Sequence, residues 1–258
     1  MIKLNFVVDQ NYFISHVLSS MAKNRFSSAK AKREIVGFQN YAWKISERYY
    51  NFLISRFSSE IWLSAEIKDL SKRLEDYSQN LKKSTQYQSL LAQTDKYLND
   101  CKKQWEKNYP KTRLILKNLT GMRFDKRFTV FITHPGLKNG HYLGNNKIAW
   151  GHNEDWPNYT TVYLWHEILH CYFTDSPLNH AIISFLTDEE LRAQLNQGKY
   201  PPFMTHKSLH PLMNKILPEW KKYLKAEERN INLFRDKCTK QFGNLLTPER
   251  VGPYCPKN

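Results

Sequence analysis

Two imidazoles and a carboxylate, His166, Glu167 and His170, stand within the apolar run VYLWHEILHCYF, residues 162–173. On an α-helix, residues four apart lie on one face, one turn above the other. His166 and His170 then aim at a common point and suit a single metal ion. Glu167 sits about 100° further round. From there it reaches a water on the metal and takes its proton, which is the chemistry this spacing serves. Chance yields the pattern about 0.02 times in a chain of this composition. The neighbours Leu164, Ile168 and Leu169 are apolar. A carboxylate and two imidazoles in that setting are costly unless paired or bound to a cation. The competing reading is a surface helix whose exposed face carries the three by accident.

Something must position that helix. RFTVFITHP (127–135) alternates and is rich in β-branched residues, which predicts a strand. Gly136, Asn139-Gly140 and Gly144-Asn145 are turn signals. KIAWGHN (147–153) predicts a second strand, ended by Asp155 and Pro157, and Thr160 or Thr161 can cap the next helix. Upstream, residues 10–110 read as helical. Ile35, Phe38, Ala42, Ile45, Tyr49 and Phe52 recur at three- and four-residue steps. Breaks fall at Ser27-Ser28, Ser58-Ser59 and Ser84, giving three or four long helices with aromatic residues in the core. The expected fold is α+β and mainly helical. Residues 1–115 form an N-terminal bundle of long helices, and residues 116–258 form a metal domain with a small mixed or antiparallel sheet.

The two strands, the helix carrying His166-Glu167-His170 and the segment just C-terminal to it resemble the zincin metallopeptidases over some sixty residues. The metzincin branch wants glycine and histidine where this chain has Phe173 and Ser176. The gluzincin branch takes its third metal ligand from a glutamate on a later helix, at a spacing that lands on Glu189 or Glu190. Two readings of SPLNHAIISFLTDEELRAQLNQG (176–198) compete. One long helix, capped by Ser176 with Pro177 first, puts Glu189 between Leu178, Ile182 and Phe185 on the apolar face. A buried carboxylate there wants a cation. Alternatively Thr187 caps a new helix and Glu190 completes a capping box. Glu189 is the expected ligand and Glu190 the alternative, with Asp188 or a distant histidine behind them. His180 falls opposite Glu189 on the long helix and is expected to be exposed.

The resemblance implies Zn2+, a zinc-held water, and Glu167 as general base toward a peptide or protein substrate. It also implies an oxyanion donor, for which His206, His210, Tyr200 and Tyr223 are on offer, with His210 and Tyr200 the candidates carried forward. An edge strand at Ala149, Trp150 and Gly151 would pair with an extended substrate. The alternative is a non-catalytic metal-containing scaffold that uses the helical half as a partner surface. A scaffold has no need of a base at Glu167.

Bulk properties narrow the classes. With 258 residues, 41% hydrophobic and 14% aromatic, the chain is globular. No apolar run reaches the roughly 18 residues of a membrane span. The N-terminus MIKLNFVVDQNYF reads poorly as a secretory signal, so a cytoplasmic location is expected. Cys101, Cys171, Cys238 and Cys255 form no C-x-x-C pair and are expected as free thiols, although Cys238 and Cys255 could close a loop under oxidising conditions. The net charge of +15 is spread along the chain without a basic tail or a nucleic-acid-binding motif, which argues against a specific nucleic-acid partner. The sequence assigns no oligomeric state.

Overall fold

A computed structural model of the chain describes residues 1–20, 26–55, 68–199 and 207–242. The fold is mainly helical with one small mixed sheet. Helices α1 (Gln10–Ser19), α2 (Ala29–Ile45), α3 (Glu47–Ser55) and α4 (Lys68–Lys82) precede the 36-residue α5 (Thr85–Thr120). The expected breaks at Ser28 and Ser84 are N-caps, each side chain accepting from the main-chain N–H three residues on. Ser58-Ser59 lies outside the described residues.

Four strands form the sheet: β1 (Lys3–Val7), β2 (Arg127–Ile132), β3 (Asn139–Gly144) and β4 (Lys147–Gly151), in the order β1-β2-β4-β3. β1 and β4 run parallel to β2, and β3 runs antiparallel to β4. Two of these strands were not expected. β1 is too short and too close to the N-terminus to show a pattern. β3, NGHYLG, has turn-forming residues at both ends and hides behind them. The actual turn is Asn145-Asn146, both with positive φ, the geometry that a tight two-residue hairpin requires.

This topology corrects two expectations. Ala149–Gly151 belong to β4, which is interior, and among the described residues the free edge on that side is β3. The boundary at residue 115 falls inside α5, which continues to Thr120, and β1 pairs into the sheet of the later half. Two hydrophobic cores exist nonetheless. One, with Phe13, Ile35, Phe38, Leu74 and Leu81, lies among the N-terminal helices. The other, with Phe128, Val130, Ile148, Trp165 and Ile182, lies between the sheet and the later helices. α5 serves both, through Tyr87 and Leu90 in the first and Trp105 and Leu116 in the second.

Candidate metal centre

The motif helix is α6 (Tyr159–Leu169), packed between α5, the sheet and the next helical segment. Its cap differs from expectation. Neither Thr160 nor Thr161 precedes the helix, and the N-cap Asn158 is left-handed with no capping bond. Distant side chains satisfy the first turn instead. The Thr160 N–H donates to Glu154 Oε1 at 3.1 Å, and the Thr161 N–H to Gln104 Oε1 at 2.8 Å. Asn158 receives a bond from Asn108 at 2.8 Å and gives one to Asn196 at 2.7 Å, tying the helix start to α5 and α8 (Arg192–Asn196). Beneath α6, the Trp165 indole donates to Thr112 of α5 at 2.8 Å. The site helix is therefore clamped at its start and along its back.

After α6 the chain turns at His170 and re-enters as α7 (Pro177–Ser184), with Ser176 accepting from the Asn179 N–H and Pro177 in the first turn. This is the long-helix reading, with one change. Residues Phe185–Leu191 form a π-helical stretch before α8 continues. A π turn holds more residues than an α turn and shifts the phase of everything after it. Thr187 therefore caps no new helix.

His166, His170 and His180 converge, with one ligand atom from each lying within 4.8 Å of the others. His166 Nε2 and His180 Nε2 are 3.3 Å apart. A tetrahedral zinc with Zn–N bonds near 2.0–2.1 Å spaces its nitrogens by about 3.3 Å, so this pair already has the required separation. On its other side, His166 Nδ1 lies 3.3 Å from Asp188 Oδ1 and 3.2 Å from Thr187 Oγ1. Asp188 is 1% exposed, and Thr187 donates to it at 3.1 Å. A carboxylate on Nδ1 keeps the proton there and leaves the Nε2 lone pair free for a metal. Burial disfavours the charged His166 ring, but Asp188 and Glu167 together outweigh it and raise its pKa. Burial, reinforced by His166, pushes His170 down to about 3 and keeps that ring a neutral donor.

Glu167 is buried beside them. Burial raises its pKa to about 7, against the lowering effects of His166 and of a main-chain hydrogen bond from Tyr142. Tyr142 belongs to β3, so the carboxylate sits against the edge strand.

The expected third ligand is not brought to this cluster. Glu189 is 42% exposed and lies 3.8 Å from Arg192. Burial raises its pKa despite Arg192. Glu190, one residue on, is only partly buried, and the structure brings neither glutamate into the histidine group. A helical wheel separates inward from outward residues only where one face is buried, whereas α7 and the π turn are buried on nearly all sides. His180 and Thr187 both meet His166 of α6. His180 was therefore the signal to weigh, ten residues after His170 on a helix with no solvent face. His210 lies at the start of α9 (His210–Lys225), outside the metal-capable group, and Tyr223 donates to the Leu119 carbonyl. Tyr200 and His206 lie outside the described residues. Trp150 is a buried pillar whose indole donates to Thr160, and a Cβ on Gly151 would collide with Thr133. Cys101, Cys171 and Cys238 are free thiols, and Cys255 lies outside the described residues. Among the described residues no helix is long and apolar enough to cross a membrane.

No family model, no curated protein and no solved structure matches the chain.

Proposed function

We propose that the chain is a zincin-like, zinc-dependent hydrolase acting on peptide bonds, with His166, His170 and His180 as its metal ligands. One observation carries this reading. Three imidazoles place ligand atoms within 4.8 Å of one another, two of them 3.3 Å apart, and a buried carboxylate stands one residue from the first of them. Three nitrogen donors with a fourth position open is the donor set of a hydrolytic zinc site rather than a closed structural one. Zinc held there would supply Lewis acidity toward a carbonyl oxygen and lower the pKa of water. Glu167, partly desolvated with its pKa near neutrality, takes a proton from the attacking water and returns it to the leaving nitrogen. Asp188 and Thr187 hold the His166 ring in register. The free edge of β3 offers main-chain groups to an extended substrate beside Glu167, the role first expected of Ala149–Gly151.

Metal content tests the ligand set. Wild type purified without added metal and then given zinc should hold about one ion per chain, as should Glu189→Ala. His180→Ala should hold far less. Full retention in His180→Ala with loss in Glu189→Ala would overturn the assignment. A peptide mixture then separates enzyme from scaffold. Cleavage by wild type and none by Glu167→Gln supports hydrolysis. Zinc binding with no cleavage of any peptide supports a metal-containing scaffold.

A further inference from the structure

The sheet face turned away from α6 carries a row of cations. In the register, Lys3 lies directly beside Arg127, and Lys147 beside Thr129, two residues along the same face from Arg127. Phe128, Val130, Ile148 and Trp150 point the other way, into the core with α6. Lys3, Asn5, Arg127 and Lys147 are exposed. None of the strand residues is acidic. Among the described residues no carboxylate pairs with Lys3, Arg127 or Lys147. The nearest acid in sequence, Asp125, donates its N–H to Tyr172, which lies on the α6 side. Like charges directly across neighbouring strands oppose folding. Among the described residues that like-charge pair, Lys3 and Arg127, has no carboxylate partner.

The row also has a definite relation to the metal centre. Lys147 is the strand partner of Gly144, so it lies one strand, about 5 Å, from the free edge of β3. Gly144 is two residues, about 7 Å, from Tyr142, where the edge meets Glu167. From Lys147 the cations continue across β2 and β1 to the far edge of the sheet. A chain lying on β3 and leaving at its Gly144 end runs onto them.

We infer that this row is a docking surface for an acidic segment of the polypeptide substrate. The inference rests on the hydrolase reading above. Antiparallel pairing is the better hydrogen-bonded arrangement on a free edge. It puts the substrate's N-terminal side at Gly144. The acidic residues therefore lie on the N-terminal side of the cut, beginning about three residues before it. Asn5 and Thr129, on the same face, add hydrogen-bonding groups beside the cations.

The test uses zinc-loaded protein and peptides that share one cleaved core. The N-terminal extension is four Glu, four Ser or four Lys, and a fourth peptide carries the Glu block on the C-terminal side. At low salt, kcat/KM should be about tenfold higher with N-terminal Glu than with Ser, and lowest with Lys. Salt should erase the difference. In Lys3→Glu/Arg127→Glu/Lys147→Glu the Glu-to-Ser ratio should fall to one or below, and Arg127→Gln alone should lower it partway. Arg127→Gln should also raise Tm by relieving the like-charge pair. Equal cleavage of all extensions, a ratio unchanged in the triple variant, or preference for the C-terminal block would overturn the inference. If no peptide is cleaved, the hydrolase reading fails and binding decides. Fluorescence anisotropy on Glu167→Gln should then show salt-sensitive binding of the Glu peptide that the triple variant lacks. Absence of that binding, or tighter binding of an oligonucleotide of equal charge, overturns the acidic-polypeptide assignment.

Discussion

The two cores treat their buried polar groups differently. Among the N-terminal helices, several buried side chains close on main-chain carbonyls. The Gln39 amide donates to Val17 O at 2.7 Å, the Tyr77 hydroxyl to Ala42 O at 3.0 Å, and Thr94 to Leu90 O at 2.8 Å. Each bond locks helix to helix or satisfies a hydroxyl within its own helix, and nothing converges. Around α6 the buried polar groups address one another. His166 meets Thr187, Asp188 and His180, and Glu167 meets the edge strand. Among the described residues neither region partners every buried polar atom, Gln39 Oε1 in the first and Asn179 Oδ1 in the second being left over, but the bonds that form differ in purpose. In the first they serve packing. In the second the bonds hold the His166 ring between Asp188 on one side and His180 on the other.

The sharpest way to break this contrast is Glu167→Gln. The variant keeps the shape and loses the proposed base, so peptide cleavage should drop by about 10²–10⁴-fold while zinc content holds. Undiminished cleavage would reduce Glu167 to a packing residue like Gln39. Next in size is Phe38→Ala in the N-terminal core, where the side chain is fully buried. It should cost about 3–5 kcal/mol in denaturant unfolding, with zinc per folded chain unchanged. Loss of zinc there would show that the two cores are not separable in function.

His134 stands between the regions, bonded to Gln93 of α5 at 3.3 Å and to the Gly136 N–H at 3.0 Å. Burial holds its pKa down at about 4, against a raising effect of Glu34. The unfolded ring protonates near 6.5, so the unfolded chain takes up the proton first as pH falls. Its share of stability is full above about 6.5 and is lost as pH falls to about 4, amounting to about 3 kcal/mol. His134→Gln should flatten that limb in thermal melts between those pH values. Smallest is Asp188→Asn, which should weaken zinc binding about 10–100-fold by competition with a chelator. A loss of fold stability without a loss of affinity would place Asp188 with the packing residues.

How much of this was legible in the sequence depends on which physical signal each element carries. α2 showed itself through the spacing of Ile35, Phe38 and Ala42 and through Ser28, because one face is buried and the other wet. β2 alternates for the same reason. His166, Glu167 and His170 were legible because four-residue spacing on any helix aligns them. His180 was not, because a helical wheel is informative only with a solvent face and α7 lacks one. Asp188 was legible only as a fallback ligand and not as the partner of His166, because the π turn that brings it to that ring leaves no mark in composition. β3 was masked by the residues that make its own ends turn. The caps on α6 come from Glu154 and Gln104, and the more distant of these is more than fifty positions away, beyond any local pattern.

α5 carries one further consequence. It runs about 54 Å as a single helix, with Tyr87 and Leu90 in one core and Trp105 and Leu116 in the other. Its later half supplies the Thr112 hydroxyl under Trp165 and the Gln104 cap of α6. A cut inside α5 separates the two cores from their shared helix. Trimming at residue 115 severs the beam on which both cores hang and strands β1 away from its sheet. The N-terminal helices thus pack on the same long helix that braces α6. They hold one end of a girder whose other end carries the start and the back of the histidine helix.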